Sequence, residues 1–238
     1  DLFDIEDTNN VYETSVDAND LYNYLGIAGG DTSSLISSVM VQKQDAGKGV
    51  KVKIITEDNI IKITSNQYAN AAITAGVSDV EIDVASVSKV TGESALTGVY
   101  KALEANGETL DLDRTQVAQN ELETTNEIAE NNADNSNFDS GRLDQAMVEI
   151  KQELAEIKKN QGSAATAEQV EQVVTDALKK FNLSDIISQD DIDKLIAFAK
   201  KYQNTSAIDS QEVLEQLNKL SGNLKNQLSG LINKAQSE

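Results

Sequence analysis

The chain of 238 residues carries 40 acidic and 20 basic side chains, for a net charge of -20, and has neither histidine nor cysteine. That charge argues against nucleic acid and anionic membrane surfaces as partners, because both require a basic face; the missing residue types exclude imidazole and thiolate chemistry, disulfides and Cys-based zinc sites. A hydrophobic content of 39% fits a folded protein, and no apolar run approaches the ~20 residues that a membrane-spanning helix requires.

The chain begins at Asp1 with Leu2, Phe3 and Ile5 already apolar, so a removed upstream segment, such as a secretory signal, is expected. Val11, Tyr12 and Val16 form a short extended run over 10–16. Asp17 then offers an N-cap to a helix over 18–25, whose Leu21, Tyr24 and Leu25 share a face and whose end is marked by Gly26, Gly29 and Gly30. The β-branched run from Ser34, the loop over 44–49 and the alternation of Val50, Val52 and Ile54 with Lys51 and Lys53 predict a hairpin with one face buried. A third strand is expected over 59–63. Thr64 and Gln67 read as a capping box for a helix reaching Ala75, with Gly76 just past its end. Its Ala69, Ala71, Ala72 and Ala75 predict close packing on a sheet.

Val80, Ile82 and Val84 alternate with Glu81 and Asp83 as a further strand. A helix from about Glu93 carries the stripe Leu96, Val99, Tyr100 and Leu103 and stops at Asn106-Gly107; Asp113 with Gln116 opens another that reaches Glu130. Strands and helices mixed in this way predict an α+β domain over residues 1–130, a mixed or antiparallel sheet packed with helices.

Residues 131–141 are a polar run read as a linker, and 142–238 read as all-α, a helical bundle or helical hairpins. Leu143, Met147, Ile150, Leu154 and Ile157 are spaced 4-3-4-3, a heptad seam that needs a second helix to bury it. Thr166 with Gln169 and Ser188 with Asp191 open two more helices. A last one runs from about Asp209 with Val213, Leu217, Leu220, Leu224, Leu228, Leu231 and Ile232, interrupted by Gly222 and Gly230. The charge is uneven: residues 1–140 hold 25 acids and 8 bases, residues 141–238 hold 15 and 12.

Few motifs carry chemistry. Thr91, Gly92 and Ser94 lie at a helix mouth where N–H groups can hold an anion, although the phosphate-loop spacing is absent and capping by Thr91 accounts for the pattern. The acidic pairs Asp111 with Asp113, Glu121 with Glu123 and Glu81 with Asp83 are expected by chance in so acidic a chain and read as solvating charge. The Asn/Asp-rich run at 131–139 lacks the ligand order of a calcium loop. Ser86 or Ser88 with Lys89 would be a nucleophile pair only if adjacent residues of a strand pointed the same way, which they do not. No metal site and no cofactor are expected.

The blocks Ser37-Ser-Val-Met-Val41, Gly47-Lys-Gly-Val-Lys-Val52, Asn59-Ile60, Ile63-Thr64, Tyr68-Ala-Asn-Ala-Ala-Ile-Thr-Ala-Gly-Val77 and Val90-Thr-Gly-Glu-Ser-Ala-Leu-Thr-Gly98, with their spacing, closely resemble domain-of-unknown-function family 1002. Tyr24-Leu25-Gly26, Lys101-Ala-Leu-Glu104 and Glu121-Leu122 fit the same pattern, so the likeness covers most of residues 10–130. The resemblance implies a secreted or envelope-associated protein of Firmicutes and supplies no catalytic residues. The expected function is therefore a non-catalytic module at the Gram-positive cell surface that binds an envelope component or a partner protein. Its candidate ligand residues are Thr91, Gly92, Ser94, Thr74 and Gly76, in two segments that would lie side by side if their helices share one sheet face. Its candidate partner face is Leu143, Met147, Ile150, Leu154 and Ile157. The alternatives are a carboxylate-dependent hydrolase of cell-wall polymers and a structural protein that oligomerises through the C-terminal helices.

Overall fold

A computed structural model describes residues 2–26, 28, 32 and 35–235, with side chains as far as 229. Gly29, Gly30 and Ser34, and the side chains of Leu231 and Ile232, lie outside the described residues. The chain divides into two compact units, Asp1–Leu122 and Glu123–Glu238.

The first unit is a small sheet with helices. Helix α1, Ala18–Leu25, starts in a capping box: Asp17 accepts from the Asn19 and Asp20 amides at 2.7 and 3.1 Å, and the Asp20 carboxylate accepts from the Asp17 amide at 2.9 Å. Residues 10–16 form no strand, contrary to the expectation from their β-branched content. A 3-10 turn at Thr8–Asn10 is followed by irregular chain in which Val11 and Tyr12 are exposed, and among the described residues no strand pairs with it.

The sheet has three strands, β1 (Ser37–Lys43), β2 (Val50–Ile54) and β3 (Val80–Ser86), in the order β1-β3-β2. The expected β1–β2 hairpin does not form. β3 occupies the middle, antiparallel to β1 (Val39 opposite Val84) and parallel to β2 (Val52 opposite Ile82). The alternating pattern of β2 fixes which face is buried and says nothing about which strand lies beside it. Val80, Ile82 and Val84, each 1% exposed, take the central position because only there can both neighbours shield them. The 44–49 connection passes from one edge of the sheet to the other across the start of β3 and is pinned there by Asp79. Its carbonyl accepts from the Gln44 amide at 2.8 Å, and its carboxylate accepts from the Gly49 amide at 2.7 Å.

Helix α2, Ser65–Ala75, makes the β2-to-β3 crossover that parallel neighbours require. Its capping box is the one expected, with Thr64 Oγ1 accepting from the Gln67 amide at 3.2 Å and Gln67 Oε1 from the Thr64 amide at 2.8 Å. Its alanines are buried, and it packs on β2. Helix α3, Ala95–Ala105, packs on β1, where Gly98 lets Val39 approach so closely that a Cβ would sit 2.8 Å from its Cγ2. Residues 59–63 contribute one parallel bridge, Ile60 to Val90, in place of a strand.

Helix α4, Leu112–Asn131, contains the division between the units. Its N-terminus is capped by Asp111, which accepts from the Asp113 and Arg114 amides at 3.0 and 3.3 Å; the expected capping by Asp113 gives way to a residue one step outside the helix.

The second unit is helical. It holds α5 (Ser140–Gln161), α6 (Ala167–Lys180), α7 (Gln189–Tyr202), a 3-10 turn at Ser206–Asp209 and α8 (Gln211–Ala235). Thr166 with Gln169 and Ser188 with Asp191 cap α6 and α7. The polar run over 131–141 lies within this unit, and its first residues are tied to α7: Asn131 and Asn132 donate to the buried Asp191 carboxylate at 2.9 and 3.4 Å. Phe198 and Tyr202, both at 0% exposure, fill the centre, while α5 packs on α6 and α8.

Candidate functional site

The glycine-rich mouth of α3 is occupied by the protein itself. Gly92 has φ +98°, and its carbonyl accepts from the Tyr68 hydroxyl at 2.5 Å and the Ala95 amide at 3.1 Å. A Cβ at Gly92 would lie 2.4 Å from the Tyr68 oxygen and 2.9 Å from Ile60 Cγ2. Burial, with a contribution from Glu93, pushes the Tyr68 phenol well above its ordinary value, so it donates at any physiological pH. Thr91 Oγ1 is 3.4 Å from the Glu93 carboxylate, and Ser94 Oγ is 3.4 Å from Ser37 Oγ. α3 thus starts without a side-chain cap, and the expected role of Thr91 as that cap is not observed.

Thr74 and Gly76 lie at the other end of α2. The Thr74 hydroxyl, fully buried, donates to Glu121 at 2.5 Å, and the Arg114 guanidinium covers the helix terminus, with Nε donating to the Thr74 carbonyl at 2.9 Å. Gly76, at φ +100°, leaves room for it: a Cβ there would be 3.1 Å from Arg114 Cζ. A cation over the last carbonyls is favourable for α2. Since Tyr68, in the first turn of α2, reaches Gly92, the two candidate segments lie at opposite ends of that helix. From Tyr68 to Gly76 is roughly 12 Å along the axis at 1.5 Å per residue. The structure does not bring Thr91, Gly92 and Ser94 together with Thr74 and Gly76.

One member of each acidic pair has a structural partner, whereas Asp83, beside Glu81, keeps a buried Oδ1 without a hydrogen bond and its carboxyl is raised by burial. Asp111 caps α4, Glu121 bonds Thr74 and Glu81 pairs with Lys53. Ser86 Oγ donates to the Ser88 carbonyl at 2.7 Å, closing a local turn. A hollow of about 570 Å³ along residues 54–59 is made by one surface loop whose Thr56 and Asn59 already bind the Ser86 backbone at 2.8 and 2.7 Å. It gathers no converging groups.

The heptad seam divides. Leu143, Met147, Ile150 and Leu154 are each at most 1% exposed, packed inside the helical unit, while Ile157 is only half-buried and reaches a groove between α5 and α6. This groove, about 320 Å³, has Ile157, Val173 and Ala177 as its apolar lining, with Glu149 and Glu153 on the α5 side and Asp176 and Lys180 on the α6 side. Lys180 pairs with Glu149 at one end, and the amides of Gln161 and Gln169 meet at 3.2 and 3.3 Å beyond the other. Burial, then Glu149 and Glu156, raises the Glu153 carboxyl above its ordinary value; Lys180 opposes them and Asp176 adds to them. Among the described residues no three acidic side chains gather closely enough to hold a metal ion, so these acids line an edge rather than converge on a point. Sequence reasoning passed over Glu149, Glu153, Asp176 and Lys180; the available signal was acids at i and i+4 flanking the end of the seam. Arg114 was missed as well, though its rarity, one of two arginines, marks it.

The chain is 34% identical over 184 residues, 77% of its length, to "Uncharacterized protein YpuA" of Bacillus subtilis (strain 168), and that match spans 57% of the relative's own length. No solved structure matches the chain. The model of the family described as "Protein of unknown function (DUF1002)" matches residues 1–220. With its blocks lodged in the turns, caps and helix-sheet contacts just described, the chain belongs to the DUF1002 family.

Proposed function

We propose that this chain is a non-catalytic binding module that works outside the cytoplasm at the cell envelope, where it engages an envelope component or a partner protein. The observation that carries this reading is the α5–α6 groove, which combines an apolar lining with unneutralised acids at its edge. Ser86 and one acid of each pair singled out elsewhere in the chain, Asp111, Glu121 and Glu81, serve a turn, a cap, a hydrogen bond and an ion pair, which supports binding over chemistry at those residues. Cosedimentation of the full chain with Gram-positive envelope fractions tests the reading. Saturable binding at micromolar chain is expected; a chain that stays in the supernatant with every fraction overturns it.

A second reading rests on Glu153. Its carboxyl, on an exposed residue, is raised by partial desolvation and by Glu149, and a raised carboxyl beside a second acid is the pairing from which a glycoside hydrolase draws its proton donor. Purified wall polymers incubated with the chain and with Glu153→Gln decide it: release of reducing ends by the first and not the second revives the hydrolase, and equal inactivity ends it.

A further inference from the structure

We infer that the α5–α6 groove receives a lysine- or arginine-bearing amphipathic helix of a partner protein, an assignment that rests on the reading of the chain as a binding module. The groove runs between two helices, so it offers no strand edge for an extended peptide to join, and a third helix is the element whose side chains interdigitate with such a cleft. Of its apolar lining, Val173 and Ala177 are only 9% and 2% exposed, so the apolar stripe of the occupant rests chiefly on the half-buried Ile157. On α5, the stretch from Glu149 to Ile157 is about 12 Å long, two turns of helix, which anchors at i, i+3 or i+4 and i+7 would match.

Charge selects the occupant's sign. Lys180, the one basic residue among those lining the groove, is committed to Glu149, so no cation in the lining is left for Glu153 or for Asp176, whose carboxylate accepts from the neutral Gln172 amide at 2.8 Å. The raised Glu153 carboxyl reports the same imbalance: an incoming cation would relieve it and an anion would worsen it. Because the acids are spread along the rim and do not converge, they suit cations carried on flexible stems, spaced along a helix, better than a single ion.

The test is an NMR titration of the full chain with two synthetic amphipathic helices of about 15 residues, long enough to reach helical conformation on contact. Both carry the same leucine stripe, one flanked by lysines and the other by glutamates. The lysine peptide should bind at least about tenfold tighter, shift the amides of Val173, Ala177 and Ile157 and weaken with added salt. Glu153→Gln combined with Asp176→Asn should cost it about tenfold without altering the circular dichroism spectrum. Equal affinity for the parent and the double variant, or shifts scattered over unrelated acidic faces, overturns the inference. If the peptides fail while the parent still cosediments with envelope fractions, the groove assignment falls and the binding-module reading stands; if both fail, both fall.

Discussion

Gly92 shows how a residue that looks functional in a motif is held by packing. Its positive φ strains any L side chain, and the Tyr68 oxygen, 2.4 Å from where a Cβ would go, cannot move without giving up the Gly92 carbonyl. Gly92→Ala should therefore cost about 2–4 kcal/mol, seen as a lower midpoint in urea unfolding. Gly107→Ala, also at positive φ but with nothing within 4 Å, should cost about 1 kcal/mol. Loss of the guanidinium that caps α2, by Arg114→Met, should cost about 1–2 kcal/mol in the same assay. Glu153 gives a pH signature. Because its folded pKa lies above the unfolded value, its ionisation disfavours the fold, and that penalty is absent below the unfolded pKa and fully present above the folded one. Because Glu153 is exposed and solvent screens its neighbours, Glu153→Gln should be more stable than the parent at neutral pH by no more than about 0.5 kcal/mol, with the difference vanishing in acid; thermal midpoints across pH measure it. The caps of α2, α6 and α7 were legible in the sequence because Thr64, Thr166 and Ser188 act on amides three residues away. The partners of Gly92 and Gly76 were not, since Tyr68 and Arg114 arrive from other parts of the chain.

At the scale of elements, the seam of α5 separates core from surface. Leu154→Ala, at a position 1% exposed, should destabilise by about 2–5 kcal/mol, whereas Ile157→Ala, at the edge of the groove, should stay under about 1.5 kcal/mol. Chemical denaturation of the two variants distinguishes them, and similar values would mean that the seam is buried along its whole length. Helix periodicity made this stripe readable, since an apolar face must be covered by something. Strand order was not readable in the same way. Val50, Val52 and Ile54 specify a buried face, but the choice between β1 and β3 as neighbour depended on where the α2 crossover returns the chain. The weak strands expected over 10–16 and 59–63 failed for a related reason: β-propensity is realised only beside a partner strand, and the described residues give those segments one bridge between them.

For the whole molecule, the net charge of -20 has a measurable consequence. Like charges that repel in the compact state are screened by salt, so the thermal midpoint should rise by a few degrees between low ionic strength and about 0.2 M salt; a flat profile would mean that local ion pairs already balance the field. The division between the two compact units falls inside α4, and the first residues of the polar run at 131–141 are bonded to α7 within the second unit. By itself the sequence determined the local quantities: which stretches are helices, the caps of α1, α2, α6 and α7, which strand faces are buried, and that imidazole and thiolate chemistry are excluded. These follow from residues a few positions apart. Only the tertiary structure decided that β3 lies between β1 and β2, that Tyr68 and Arg114 fill the sites the glycines offer, and that Glu153 and Asp176 share the edge of one groove. Each of these depends on residues brought together by folding, whose proximity no spacing along the chain records.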